Sequence, residues 1–237
     1  MKFIEFFNDI IEIFTTRELL MYLLQGFGNT LLLTVVSATI GLFLGFGVAI
    51  IKISAENYKF MKIPAFFCTV YTTVIRGTPV ALQLFIMVLA IFTIPGFKAV
   101  TAILTFGINS GAYVSESIRA GISSVDHGQM EAGRALGLNW KTTMLKIIMP
   151  QAVKNIIPAI GNEMIALLKE TAIICMIGYT PGTLTFDLNA ASNTIFANMG
   201  TYLPAGVIVG GLYLAIVYLM TFVIKIIEKR LKASDKR

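Results

Sequence analysis

The sequence predicts an all-α membrane protein of about five transmembrane helices with one polar loop between apolar blocks. Three observations lead there. Mean hydropathy is +0.79, with 56% hydrophobic and only 14% charged residues among 237, which is outside the range of soluble domains. The apolar residues come in long runs separated by short polar joints, and about 20 such residues cross a hydrocarbon core of about 30 Å. The alternation expected of a β-barrel is absent, so helices must satisfy the backbone in lipid. The segments 1–19, 20–229 and 230–237 read as an interfacial stretch, a membrane domain and a basic tail, with the polar loop at 124–152.

Met1 to Glu18 is amphipathic, with Phe3, Ile4, Phe7, Ile10, Ile11 and Phe14 on one side and more acids than bases. It lacks the basic start and cleavage site of a signal peptide, and it reads as a helix lying on the membrane. The first span, Leu20 to Ile53, is long enough to tilt or protrude. Its Gly41-x-x-x-Gly45 with Gly47 lets a second helix approach closely. Tyr58 to Ile75 is a weaker apolar stretch, read as re-entrant or interfacial; if it crosses, the spans number six and the orientation reverses. Arg76-Gly77-Thr78-Pro79 breaks it, because proline disfavours helix at the residue before it and can open a new helix. The second span runs from Val80 to about Ile94 and closes at Pro95-Gly96.

The third span, about Val100 to Ile122, turns polar in its second half. Asn109, Tyr113 and Glu116 share a helix face, and Glu116 and Arg119 can pair at i, i+3. The polar loop follows. It predicts a short helix at about Gly128 to Leu136, a break at Gly137 and a second helix, Trp140 to Ile148, stopped by Pro150. The fourth span is about Ile156 to Ile177, broken by Gly178 and Pro181-Gly182. Thr180 to Tyr202 has no Lys or Arg and reads as an outer loop. The last span, Tyr202 to Ile227, repeats the small-residue device at Gly206, Gly210 and Gly211, then ends in Glu228-Lys229-Arg230-Leu231-Lys232. Basic residues concentrate on the cytoplasmic side, so these bases place the C-terminus inside and, with five spans, the N-terminus outside.

The net charge of +6 lies beside the ends of apolar runs, which favours membrane anchoring over nucleic-acid binding. Cys68, Cys175 and the single His127 suggest neither a disulfide framework nor a metal site. Catalysis has little support. Gly137-Leu138-Asn139-Trp140-Lys141-Thr142 lacks the second glycine of a Walker A loop, and Gly107-Ile108-Asn109-Ser110-Gly111 is off register for a nucleophile elbow.

The loop carries the strongest pattern: Glu131-Ala132-Gly133-x-x-x-Gly137, nine residues, then Ile147-x-Met149-Pro150. It resembles the EAA loop of binding-protein-dependent ABC importer permeases, with Gly133 in place of the second alanine and Met149 in place of leucine. Arg76-Gly77-Thr78-Pro79 and Leu168-Lys169-Glu170-Thr171 resemble signatures of the polar amino-acid branch of that family. The resemblance runs from about Gly26 to the C-terminus and implies the type I ABC importer permease fold in a bacterial inner membrane. It implies that Glu131, Ala132, Gly133 and Gly137 form the coupling helix that docks into a separate ATPase. The partners it implies are two ATPase subunits, a second permease subunit expected to be an identical copy, and an extracellular solute-binding protein. The chain itself needs no cofactor, since ATP and magnesium would be held by the ATPase.

Physical reasoning supports a docking role beside the resemblance. Two short helices joined at glycine make a compact knob, small residues let it enter a cleft, and Glu131 near a helix N-terminus is favoured there. Charges at the centre of a span face a cavity or a partner. Glu163 and Glu170 lie two turns apart on one helix face, and Lys169 neutralises one of them. The remaining carboxylate attracts a cationic amino acid such as arginine, lysine or histidine and can bind a guanidinium bidentately. Asn162, Thr171 and Gln83 are candidates for its amino and carboxylate groups. An internal Glu–Lys network, a neutral solute such as glutamine, and an ATP-independent secondary transporter built on broken helices are the alternatives.

Overall fold

The computed structural model describes residues 3–94 and 96–233, and every described regular element is helical. The stop at Pro95, the base Lys2 and the last four residues of the basic tail lie outside them. The long apolar runs become α2 (Arg17–Ser54) and α10 (Leu203–Ala233), both long and apolar enough to cross a membrane. At 1.5 Å per residue, α2's 38 residues reach about 57 Å, well beyond a hydrocarbon core. Before α2, α1 (Phe3–Thr15) leaves Phe3, Ile4, Phe7, Ile11 and Phe14 exposed and buries Ile13.

The predicted break at Pro79 is present, between the Tyr58 to Ile75 stretch and the second span. α3 (Lys62–Gly77), opened by a 3-10 turn at Lys59–Met61, meets α4 (Val80–Phe85) at a 106° bend. α4 widens into a π turn at Ile86–Ile91, so the helical part ends before Ile94. Pro79 stands at the bend in extended conformation, φ −63° and ψ 133°, as a residue without an N–H is suited to do. The Gln83 amide ties the corner by donating to the Thr78 carbonyl and hydroxyl at 3.1 and 2.8 Å. The remaining elements are α5 (Lys98–Ser123), α6 (His127–Ala135), α7 (Trp140–Thr143), α8 (Met149–Glu170) and α9 (Leu188–Met199).

The chain forms two compact units, and α2, α5, α8 and α10 each give a segment to both. The first contains residues 1–39, 78–107 and 166–219. Its core joins Ile13, Leu19 and Leu23 to Leu188 and Ile195 of α9 and to Ala205 and Val209 of α10. Within Thr180 to Tyr202, Leu188–Met199 forms helix α9, which the sequence does not announce, with Leu188, Ala190, Ala191 and Ser192 buried. The alanines allow close packing, and α2 accepts α9 because a Cβ on Gly26 would lie 2.7 Å from the Asp187 carbonyl oxygen. Polar bonds fix the register. The Thr30 hydroxyl accepts from the Leu188 N–H at 3.0 Å, and the Asn29 amide donates to the Thr183 and Phe186 carbonyls.

The second unit contains residues 40–77, 108–165 and 220–237. Ala49, Val114, Ile118, Ala152 and Ile156 form its core. Gly41 and Gly45 work as their spacing predicts: a Cβ on them would come within 2.7 Å of Ser110 Oγ and Val114 Cβ on α5. At Gly210 and Gly211 nothing among the described residues lies within 4 Å of where their Cβ atoms would be, which leaves that face of α10 open.

Candidate functional site

The polar loop folds into the predicted knob, entirely within the second unit. The Asp126 carboxylate accepts the Gly128 N–H at 2.9 Å and starts α6; the Asn139 side chain accepts the Thr142 N–H at 2.8 Å and starts α7. Between them Gly137 takes φ +82°, a left-handed conformation that favours glycine. The exposed surface carries Glu131, Ala132, Arg134, Ala135 and Leu136, the last 80% exposed.

Two details differ from the sequence reading. Glu131 is the fifth residue of α6, past the first turn, so the helix-end charge is supplied by the Asp126 cap. Pro150 does not stop the second helix. α7 widens into a π turn over Met144–Ile148 and continues directly as α8, whose second residue is Pro150. The missing proline N–H falls where the ladder changes register, so little bonding is lost.

A charged cluster stands in the same unit. Glu116 of α5 receives Lys52 Nζ of α2 at 2.5 Å on one oxygen. Its other oxygen receives Arg119 Nε and Nη2 at 3.0 and 2.9 Å. The predicted Glu116–Arg119 pair is therefore present, enlarged by Lys52 and by Arg76, which lies 3.9 Å from Glu116 and over the Tyr113 ring. The Lys52 ammonium also donates to the Thr72 hydroxyl. Helix periodicity could find the Arg119 partner but not Lys52, which comes from 64 residues away.

The predicted solute contacts divide between the units. Asn162, exposed, and Glu163, half-buried, belong to the second; Gln83, Lys169, Glu170 and Thr171 belong to the first. Thr171 is fully buried and its hydroxyl donates to the Leu168 carbonyl, while Gln83 holds the corner at Thr78. Glu170 is half-buried, and its Oε2 has no hydrogen-bond partner among the described residues. Lys169 is exposed beside it.

Long apolar helices, a helix pair broken at Pro79 and a capped, exposed knob between helices describe a polytopic membrane protein. The chain belongs to the family of binding-protein-dependent transport system inner membrane components, with the match covering residues 41–233. It is 40% identical over 225 residues to the "Arginine transport system permease protein ArtQ" of Bacillus subtilis, covering 90% of this chain and 94% of that protein. The "Putative glutamine transport system permease protein GlnP" of Rickettsia bellii is 36% identical over 218 residues, covering 91% and 95%. A chain of a solved amino acid ABC transporter with histidines is 36% identical with a TM-score of 0.77, covering 88% of this chain and 94% of that one. The fold is that of the type I ABC importer permeases.

Proposed function

We propose that the chain is the permease subunit of an ATP-driven amino-acid importer and that it carries a cationic amino acid, arginine foremost. A separate ATPase takes the α6–α7 knob, and its nucleotide cycle shifts the helices between two states of access. A ligand cycle drives such a change only by binding the two states differently. The observation that carries the cationic reading is Glu170, a half-buried carboxylate near the end of α8 with one oxygen unpartnered among the described residues. Glu163, two turns earlier on α8, is the second acid. Such groups in lipid are costly unless they face a cavity or a ligand. The name of the Bacillus subtilis relative agrees with arginine.

Glutamine is the second reading, favoured by the name of the Rickettsia relative. Two copies of the permease form the pathway in this proposal, and the unpacked Gly210 and Gly211 face of α10 supports a helix approaching there. Lys59 and Lys62, with Lys229, Arg230 and Lys232, support a cytoplasmic C-terminus and an external N-terminus.

The test is solute uptake by vesicles containing the whole complex, comparing the parent with Glu163→Gln and Glu170→Gln. Loss of arginine uptake in at least one variant is expected. Unchanged arginine uptake in both removes the assigned acids, and better transport of glutamine than arginine by the parent removes the cationic preference.

A further inference from the structure

We infer that the apolar groove beside the α7 segment holds an acyl chain of an anionic phospholipid, with Lys141 at its edge taking the headgroup phosphate. The groove has a volume of about 550 Å³ and lies within the second unit. Ile50 and Ile53 of α2, Ile118 of α5, Ile156 of α8 and Met144 line it. Among the described residues, Lys141 is the only charged one lining it. A hydrocarbon trough with a single cation matches an amphiphile with one anionic end.

Two further observations point to phospholipid. Residues 137–161 contain Lys141, Lys146 and Lys154 without an Asp or Glu, and residues 57–75 contain Lys59 and Lys62, again without an acid. Such acid-free basic segments flanking a membrane helix attract anionic headgroups. Tyr58 and Trp140, also lining the groove, meet edge to face at 6.0 Å. Tyr and Trp collect at headgroup level, which sets the lysine where a phosphate would be. The lysine stem can lie along the apolar wall while its ammonium reaches the interface.

The consequence falls on the knob. Trp140 and Met144 are continuous with Thr143, which packs on Gly133 of α6. A lipid chain in the groove therefore braces the segment that would receive the ATPase, and coupling becomes sensitive to lipid charge. The inference takes the leaflet, cytoplasmic, from the proposed function.

Trp140 is the single tryptophan of the chain and reports on its own groove. The full chain is reconstituted in phosphatidylcholine vesicles with equal fractions of either brominated phosphatidylglycerol or brominated phosphatidylcholine. Quenching by the brominated phosphatidylglycerol is expected to be about twofold or more the stronger. Lys141→Gln should remove that preference and Lys141→Arg should keep it; Lys141 is exposed, so neither change disturbs packing. Val153→Phe narrows the groove and should lower quenching by both lipids. Equal quenching by the two lipids, no quenching, or a preference that survives Lys141→Gln overturns the inference. Because no solute, ATPase or nucleotide is present, a wrong solute leaves this result unaffected.

Discussion

Gly133 and Thr143 are in contact with no space for a methyl group between them: a Cβ on Gly133 would lie 2.6 Å from Thr143 Cγ2 and 2.8 Å from its hydroxyl. Thr143 is fully buried and donates to the Asn139 carbonyl at 3.1 Å, so it cannot turn aside cheaply. The loop's departure from the Glu-Ala-Ala pattern is therefore tied to a threonine ten residues later.

Restoring alanine should harm this chain. Gly133→Ala is expected to cost about 1–3 kcal/mol of local stability by overpacking. Thr143→Ala removes both clashing atoms and should recover most of that loss in the double variant, giving a clear coupling energy. Thermal unfolding of the four proteins measures it; additive losses would mean the two residues do not interact as described.

Glu116 should matter more than any one of its cations. Its side chain is 15% exposed and Lys52's is 14%, so removing the acid strands positive charge in a poorly hydrated place. Glu116→Ala is expected to destabilise by about 3 kcal/mol. Lys52→Met should cost less, because Arg119 still satisfies the carboxylate through two hydrogen bonds. Denaturation of the purified single variants fixes the order.

The parts of the fold visible in the sequence are those set by local chemistry. α2 and α10 follow from uninterrupted apolar runs, the 106° bend from Pro79, and the left-handed turn of the knob from Gly137. The rest depends on contacts distant in sequence. α9 reads as a loop because its small and polar residues carry little hydrophobic signal, yet Gly26 and Thr30, over 150 residues earlier, make a place for it. Pro150 reads as a stop because proline ends regular α-helix, and the π turn that carries the chain past it leaves no local pattern. Charge in apolar sequence singles out Glu163, Lys169 and Glu170, while nothing in the local sequence around Gln83 shows that its amide is engaged with Thr78.

Asp187 gives a prediction on pH. It caps α9 through one oxygen, at 2.9 Å from the Ala190 N–H, while the other oxygen has no partner among the described residues. Burial raises its pKa from 3.8 to about 6. The folded chain thus holds this proton more tightly than the unfolded chain. The associated stability is fully present below about pH 4 and is lost as pH rises through about 6, for a change of up to about 3 kcal/mol. Asp187→Asn keeps a cap acceptor and cannot ionise, so its unfolding midpoint should stay level from pH 4 to 7 where that of the parent falls. A parent midpoint that rises over that interval reverses the assignment.

Leu136 separates docking from folding. It is 80% exposed at the C-terminal end of α6, beside a glycine that already turns the chain, so a polar residue there should leave the fold intact. Burying one such side chain in a partner's cleft contributes about 1.5–3 kcal/mol, and an aspartate would have to be desolvated instead. Leu136→Asp is therefore expected to weaken association with the ATPase by at least about tenfold while the unfolding midpoint of the isolated permease stays unchanged. Gly137→Asp should lower both, since it also forces an aspartate into φ +82°. Pull-down of the ATPase, read beside thermal unfolding of each variant, tells the two effects apart. Full ATPase binding by Leu136→Asp would move the docking surface away from the tip of the knob.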